Sequence, residues 1–202
     1  MLWVDGLLTL VGGYAAFELI KFARGRGRLK FLGLTIAACL FTFMQSTVFI
    51  GNLFETPAVL TVVEFIVEWG HLICLAFILS SLAVFIRQSK PVFAQFPMVY
   101  TALPFFIIIS YFFVLNSTVL REWLFFLYQA GALLVALMMY GIYTYRVKKY
   151  TTILAGVILF LICYILYWTI GAFSSSLFWI WQLILSAAIV TTVIGYKLAH
   201  KY

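Results

Sequence analysis

Charged residues are scarce in this chain. They make up 9% of 202 residues, against roughly 25% in an ordinary soluble domain. Proline occurs four times and histidine twice. These shortages exclude a good deal. With 66% of residues apolar, the chain lacks the polar surface a water-soluble fold needs to cover its core. Nucleophilic hydrolysis has no footing, because neither GxSxG nor HExxH occurs and one histidine alone, His71, lies in an apolar run. No phosphate-binding glycine loop is present either; Gly25 and Gly27 stand between arginines without the motif. The three cysteines, Cys39, Cys74 and Cys163, fall inside apolar runs without CxxC spacing. They read as small buried hydrophobes, not as a disulfide framework.

What the chain has is hydrophobic length. Seven apolar runs cover 2–22, 31–53, 58–86, 96–115, 119–145, 151–173 and 177–198. Each approaches the roughly 20 residues that a bilayer requires. Lipid offers backbone groups no hydrogen bonds, so each run must be a helix. The expected fold is all-α: one integral membrane seven-helix bundle over residues 1–202. Pro57 is placed to open the third helix, Pro104 to kink the fourth, and Ser174-Ser175-Ser176 to form a tight turn. The N-terminus has no basic segment ahead of its apolar run, which therefore reads as a retained span and not a cleaved leader. No loop is long enough for a soluble domain.

The net charge of +7 does not mark a nucleic-acid binder, because the excess lies in short loops between spans. Loop charge sets orientation instead. Alternate loops and the C-terminus hold 12 of the 13 basic residues, and only Arg121 lies on the opposite side, with Asp5, Glu55 and Glu122. The N-terminus is expected outside and the C-terminus in the cytoplasm, with the protein multi-pass in the cell membrane. Trp3, Trp123, Trp179 and Trp181 near one set of ends, and Tyr145, Tyr150, Tyr196 and Tyr202 near the other, suit interfacial anchoring. Gly12 with Ala16, and Gly33 with Ala37, have the spacing of close helix packing.

Polar residues within the spans carry the functional expectation. On the third run Glu64, Glu68 and His71 stand at i, i+4 and i+7, within an arc of roughly 60°. Thr61 and Cys74 extend the same stripe. Ionisable groups facing lipid are costly, so the stripe should face the bundle interior. Gln45, Gln129, Gln182 and Tyr167 lie in the outer halves of other runs, whereas the inner halves carry few strong polar groups. Together these residues predict an outward-facing polar pocket, with Glu64, Glu68 and His71 as principal ligand contacts. Asp5 and Glu18 read as interfacial residues, Glu18 pairing with Lys21 one turn away.

Three uses of the stripe follow from its chemistry. A small-molecule ligand suits a cavity that mixes aromatics, amides and a few charges. A single divalent metal could sit on Glu68 and His71 with Glu64 or water. Glu68-x-x-His71 has the spacing of di-iron carboxylate bundles, but no second Glu-x-x-His exists to complete one. Ion or proton coupling would draw on two neighbouring carboxylates and an imidazole, yet no inverted repeat is evident. Seven spans with an outside N-terminus share the broad layout of rhodopsins and other seven-helix receptors. The lysine midway along the seventh helix that marks a retinal protein is absent, since Lys197 lies at the helix end. The expected function is therefore a membrane binding or sensory module that acts through a partner protein. The alternative is a metal-dependent membrane enzyme or an ion- or proton-coupled transporter using the same residues.

Overall fold

A chain of long apolar runs has one economical way to satisfy its backbone, and the chain takes it. A computed structural model describes residues 2–24, 28–54, 56–89, 97–169 and 178–200. Among these residues there is no strand. The helices are α1 (Leu2–Arg24), α2 (Arg28–Phe54), α3 (Pro57–Ser89), α4 (Pro97–Phe113), α5 (Thr118–Arg146), α6 (Thr151–Thr169) and α7 (Phe178–His200). A 3-10 turn, Lys148–Tyr150, joins α5 to α6. Pro57 opens α3 as expected, and Pro104 lies inside α4, which continues through it. The expected serine turn at 174–176 and Glu55 fall outside the described residues. Ser117 caps α5, its hydroxyl accepting the Leu120 amide at 3.4 Å, and so fixes where the turn after α4 ends.

Six helices are long and apolar enough to cross a membrane; the described part of α4 holds a shorter apolar segment, Ala102–Phe113. The molecule is a multi-pass helical bundle of the membrane type. Its neighbour order is more specific than the sequence could say. Chain neighbours α1–α2, α2–α3, α5–α6 and α6–α7 pack together, α3 packs on α5, and α7 returns to α1. The six long helices thus close a ring. Helix α4 lies against α3, with Ile107 and Tyr111 buried between Leu72 and Ala76 of α3 and Phe125 and Tyr128 of α5. The main core inside the ring draws Leu19, Phe31, Leu75, Ala136, Ile153 and Tyr196 from six different helices.

Close seams hold the ring. A Cβ built on Gly33 would come 2.8 Å from the Phe77 carbonyl oxygen of α3. One on Gly12 would meet the Thr42 hydroxyl of α2 at 3.0 Å. The expected small-residue contacts therefore exist, and Ala16 and Ala37 are buried beside them. A third seam was not anticipated. A Cβ on Gly195 would lie 2.7 Å from the Ile153 backbone nitrogen, so α6 and α7 also approach backbone to backbone. Cys74 and Cys163 are buried as expected, whereas Cys39 is exposed: its side of α2 has no neighbouring helix to cover it. All three thiols are free.

Candidate functional site

The polar stripe on α3 changes character along the helix. Thr61 and Glu64 are exposed, Glu68 and His71 are half-buried, and Cys74 is buried, donating weakly to the Ala37 carbonyl of α2 at 3.3 Å. The stripe therefore turns into the bundle only from Glu68 onward. Glu64, expected to face a pocket, stands on the outer surface of α3, where the neighbouring helices leave the first turns uncovered.

Glu68 is the anchor of a three-helix cluster. Its Oε1 accepts from the Tyr111 hydroxyl of α4 and from Nη1 of Arg121 at the start of α5. A charged acceptor between a phenol and a guanidinium makes stronger hydrogen bonds than neutral partners would. Aromatic rings wall the cluster. Tyr111 meets Trp69 edge-on at 5.5 Å and Phe125 edge-on at 5.3 Å. One residue earlier, Ser110 shares a 2.5 Å hydrogen bond with Tyr128 of α5. The pair is not sealed: the side chains of Arg121 and Glu68 keep 25% and 35% of their surface exposed. Nor is the guanidinium saturated, because its buried Nε has no acceptor among the described residues. His71 lies one turn along the stripe, half-buried, with no hydrogen-bond partner among the described residues.

A second cluster forms where α1, α2 and α7 meet. Asp5, 5% exposed, receives the Gln182 amide at 2.8 Å on one oxygen and the Asn52 amide at 3.0 Å on the other. The Thr9 hydroxyl donates to the Asp5 carbonyl at 2.9 Å. Asp5 lies in the first turn of α1, where the helix dipole favours an anion. No basic side chain among the described residues pairs with it. Asp5, in the first turn of α1, is thus a buried node, because Asn52 and Gln182 close over it.

The remaining expected pocket residues take other places. The Gln129 carbonyl oxygen accepts from the Trp168 indole at 2.9 Å. Tyr167 meets Trp168 edge-on at 5.5 Å and lies tilted against Trp181 at 5.3 Å. Gln45 is buried on α2. Hydrogen bonds among the described residues tie three of the expected residues to different partners: Glu68 to Tyr111 and Arg121, Gln182 to Asp5, and Gln129 to Trp168. Among the described residues no three His, Cys, Asp or Glu side chains form a group that could hold a metal ion. Of the residues expected to hold a divalent ion, Glu64 is exposed, while Glu68, paired with Arg121 through Oε1, and His71 are half-buried.

Arg121, Tyr111, Asp5 and Asn52 are the site residues that the sequence reading missed. Arg121 did carry a signal, as the one basic residue out of step with the loop charges. These features define a class: a multi-pass α-helical membrane bundle with buried carboxylates tied across helices. No protein-family model matches the chain, and no curated protein or solved structure is similar to it.

Proposed function

We propose that the protein is a membrane binding module whose ligand site is centred on Glu68, Tyr111 and Arg121, with His71 beside them. The observation that carries this reading is the incompletely used ion pair. A structural pair gains most when both groups are saturated with hydrogen bonds. Here both side chains stay partly open and a guanidinium nitrogen lacks an acceptor. A small molecule carrying a carboxylate would engage the exposed part of the guanidinium, and one carrying an amine would engage Glu68; the buried Nε would be reached only as the ion pair opens. Trp69 and Phe125, both half-buried and packed edge-on against the buried Tyr111, offer the apolar wall usual for such ligands. Because the pair ties α3, α4 and α5 together, a ligand that competes for it would shift these helices. A partner protein in the cell membrane would read that shift, with the site on the outer face as the loop charges favour.

The test is a thermal-shift screen of purified protein against acetate, glycine, glycine betaine and ethylamine. The reading expects acetate, glycine or glycine betaine to raise the melting temperature of the wild type and not of Arg121→Gln, or ethylamine to raise that of the wild type and not of Glu68→Gln. Equal shifts in the wild type and the matching variant, or no shift with any probe, would count against it.

A second reading, ion- or proton-coupled transport, draws on Asp5, a buried carboxylate whose partners among the described residues are neutral amides. Intramembrane carboxylates of this kind serve ion pathways. Its check is flux into proteoliposomes under a sodium or proton gradient. Gradient-driven flux that Asp5→Asn abolishes would favour transport over binding.

A further inference from the structure

A third charged cluster lies at the other end of α1, where its last turns meet those of α7. Lys21 of α1 and Lys197 of α7 both reach Oε1 of Glu18, at 3.4 and 3.1 Å. Their ammonium groups are therefore no further apart than those two distances together. Glu18 is nearly buried, while the lysine side chains keep 53% and 42% of their surface exposed. Two cations share one anion, and one positive charge is left facing outward. Arg24, exposed in the same last turn of α1, adds another. Lysines at a helix C-terminus are ordinary partners of the helix dipole. Convergence from two helices onto one buried carboxylate goes further, because it fixes both ammonium groups at a set spacing.

The surface beside them is apolar. Leu10, Tyr14, Phe17 and Lys21 share one stripe of α1 at i, i+4, i+7 and i+11, and all four are exposed. Lys21 lies over the Phe17 ring at 4.0 Å, and Lys197 reaches the Tyr14 hydroxyl at 3.5 Å. On α7, Ile194 and Leu198 are exposed on either side of Lys197. We infer that the α1–α7 seam binds an anionic phospholipid. Its phosphate would bridge Lys21 and Lys197, and one acyl chain would lie along Phe17, Tyr14 and Leu10. Charge complementarity selects the headgroup: a zwitterionic lipid brings its own cation to a seam that already has one in excess. The apolar stripe selects a lipid over a free phosphate, since only a lipid covers it.

The experiment is native mass spectrometry of the full chain, released from micelles holding equal amounts of phosphatidylglycerol and phosphatidylcholine. The wild type should retain phosphatidylglycerol in roughly tenfold preference, as two lysines near a membrane surface support. Lys21→Gln with Lys197→Gln should bring the two lipids to near parity. Lys21→Arg with Lys197→Arg should keep the preference, which separates loss of charge from loss of fold. Lys148→Gln with Lys149→Gln, at the turn between α5 and α6, should keep it too. The inference is overturned if the Lys21/Lys197 glutamine variant retains the preference, if the Lys148/Lys149 variant loses it, or if inorganic phosphate alone displaces the bound lipid.

Discussion

Asp5 and Glu68 are both carboxylates tied across three helices, and they are held in opposite ways. Asp5 is closed in by two neutral amides and the dipole of its own helix. Glu68 meets a full positive charge and a phenol, yet remains open to its surroundings. A buried anion with neutral donors is a fixed structural node, because removing it strands those donors. A half-open ion pair has solvent or ligand as an alternative partner, and so it can be exchanged. On the proposed reading, the first cluster serves chiefly stability and the second is the one a ligand would use.

The largest effect should come from breaking the closed node. Asp5→Ala leaves the Asn52 and Gln182 amides unpaired in the bundle, at a cost of about 2–4 kcal/mol in a reversible denaturation experiment. Asp5→Asn, which keeps hydrogen-bonding capacity, should recover a good part of that loss. Next comes Arg121→Gln, which strands Glu68 with Tyr111 alone. Its melting temperature should fall less than that of Asp5→Ala, and Asp5→Asn combined with Arg121→Gln should show additive losses, because the clusters share no residue. Should the two losses fail to add, the division into separate clusters would be wrong. Tyr111→Phe removes one hydroxyl and keeps the ring contacts to Trp69 and Phe125, so about 1 kcal/mol is expected. Glu64→Gln should be the smallest, within about 0.5 kcal/mol, because Glu64 is exposed.

The sequence carried the fold further than the site, for a physical reason. Lipid forces each apolar run into a helix, so run length alone located the helices to within a few residues. Glycine spacing located the α1–α2 and α2–α3 seams. Periodicity on α3 identified the stripe, but it fixes direction only within one helix. Which helix stands opposite depends on the closure of the ring, with α3 against α5 and α7 against α1, and no local pattern encodes that. Depth alone therefore groups Gln182 with the α3 stripe, although it bonds Asp5. Arg121 reads as a loop charge, although its long side chain reaches Glu68. The sequence shows only that Asp5 is close to a helix end; Asn52 and Gln182, which close over it, come from distant helices. The third seam carries the same mark: Gly195 with Ala199 repeats the spacing of the other two pairs, and Gly156 has Thr152 four residues before it.

The most direct test of the account is a double-mutant cycle on Glu68→Gln and Arg121→Gln, read as melting temperature in one detergent. A real pair predicts non-additivity, since removing one partner strands the other while removing both strands neither. The double variant should melt no lower than the weaker single variant. If the two losses simply add, Glu68 and Arg121 do not interact, and the assignment of the site to that pair fails.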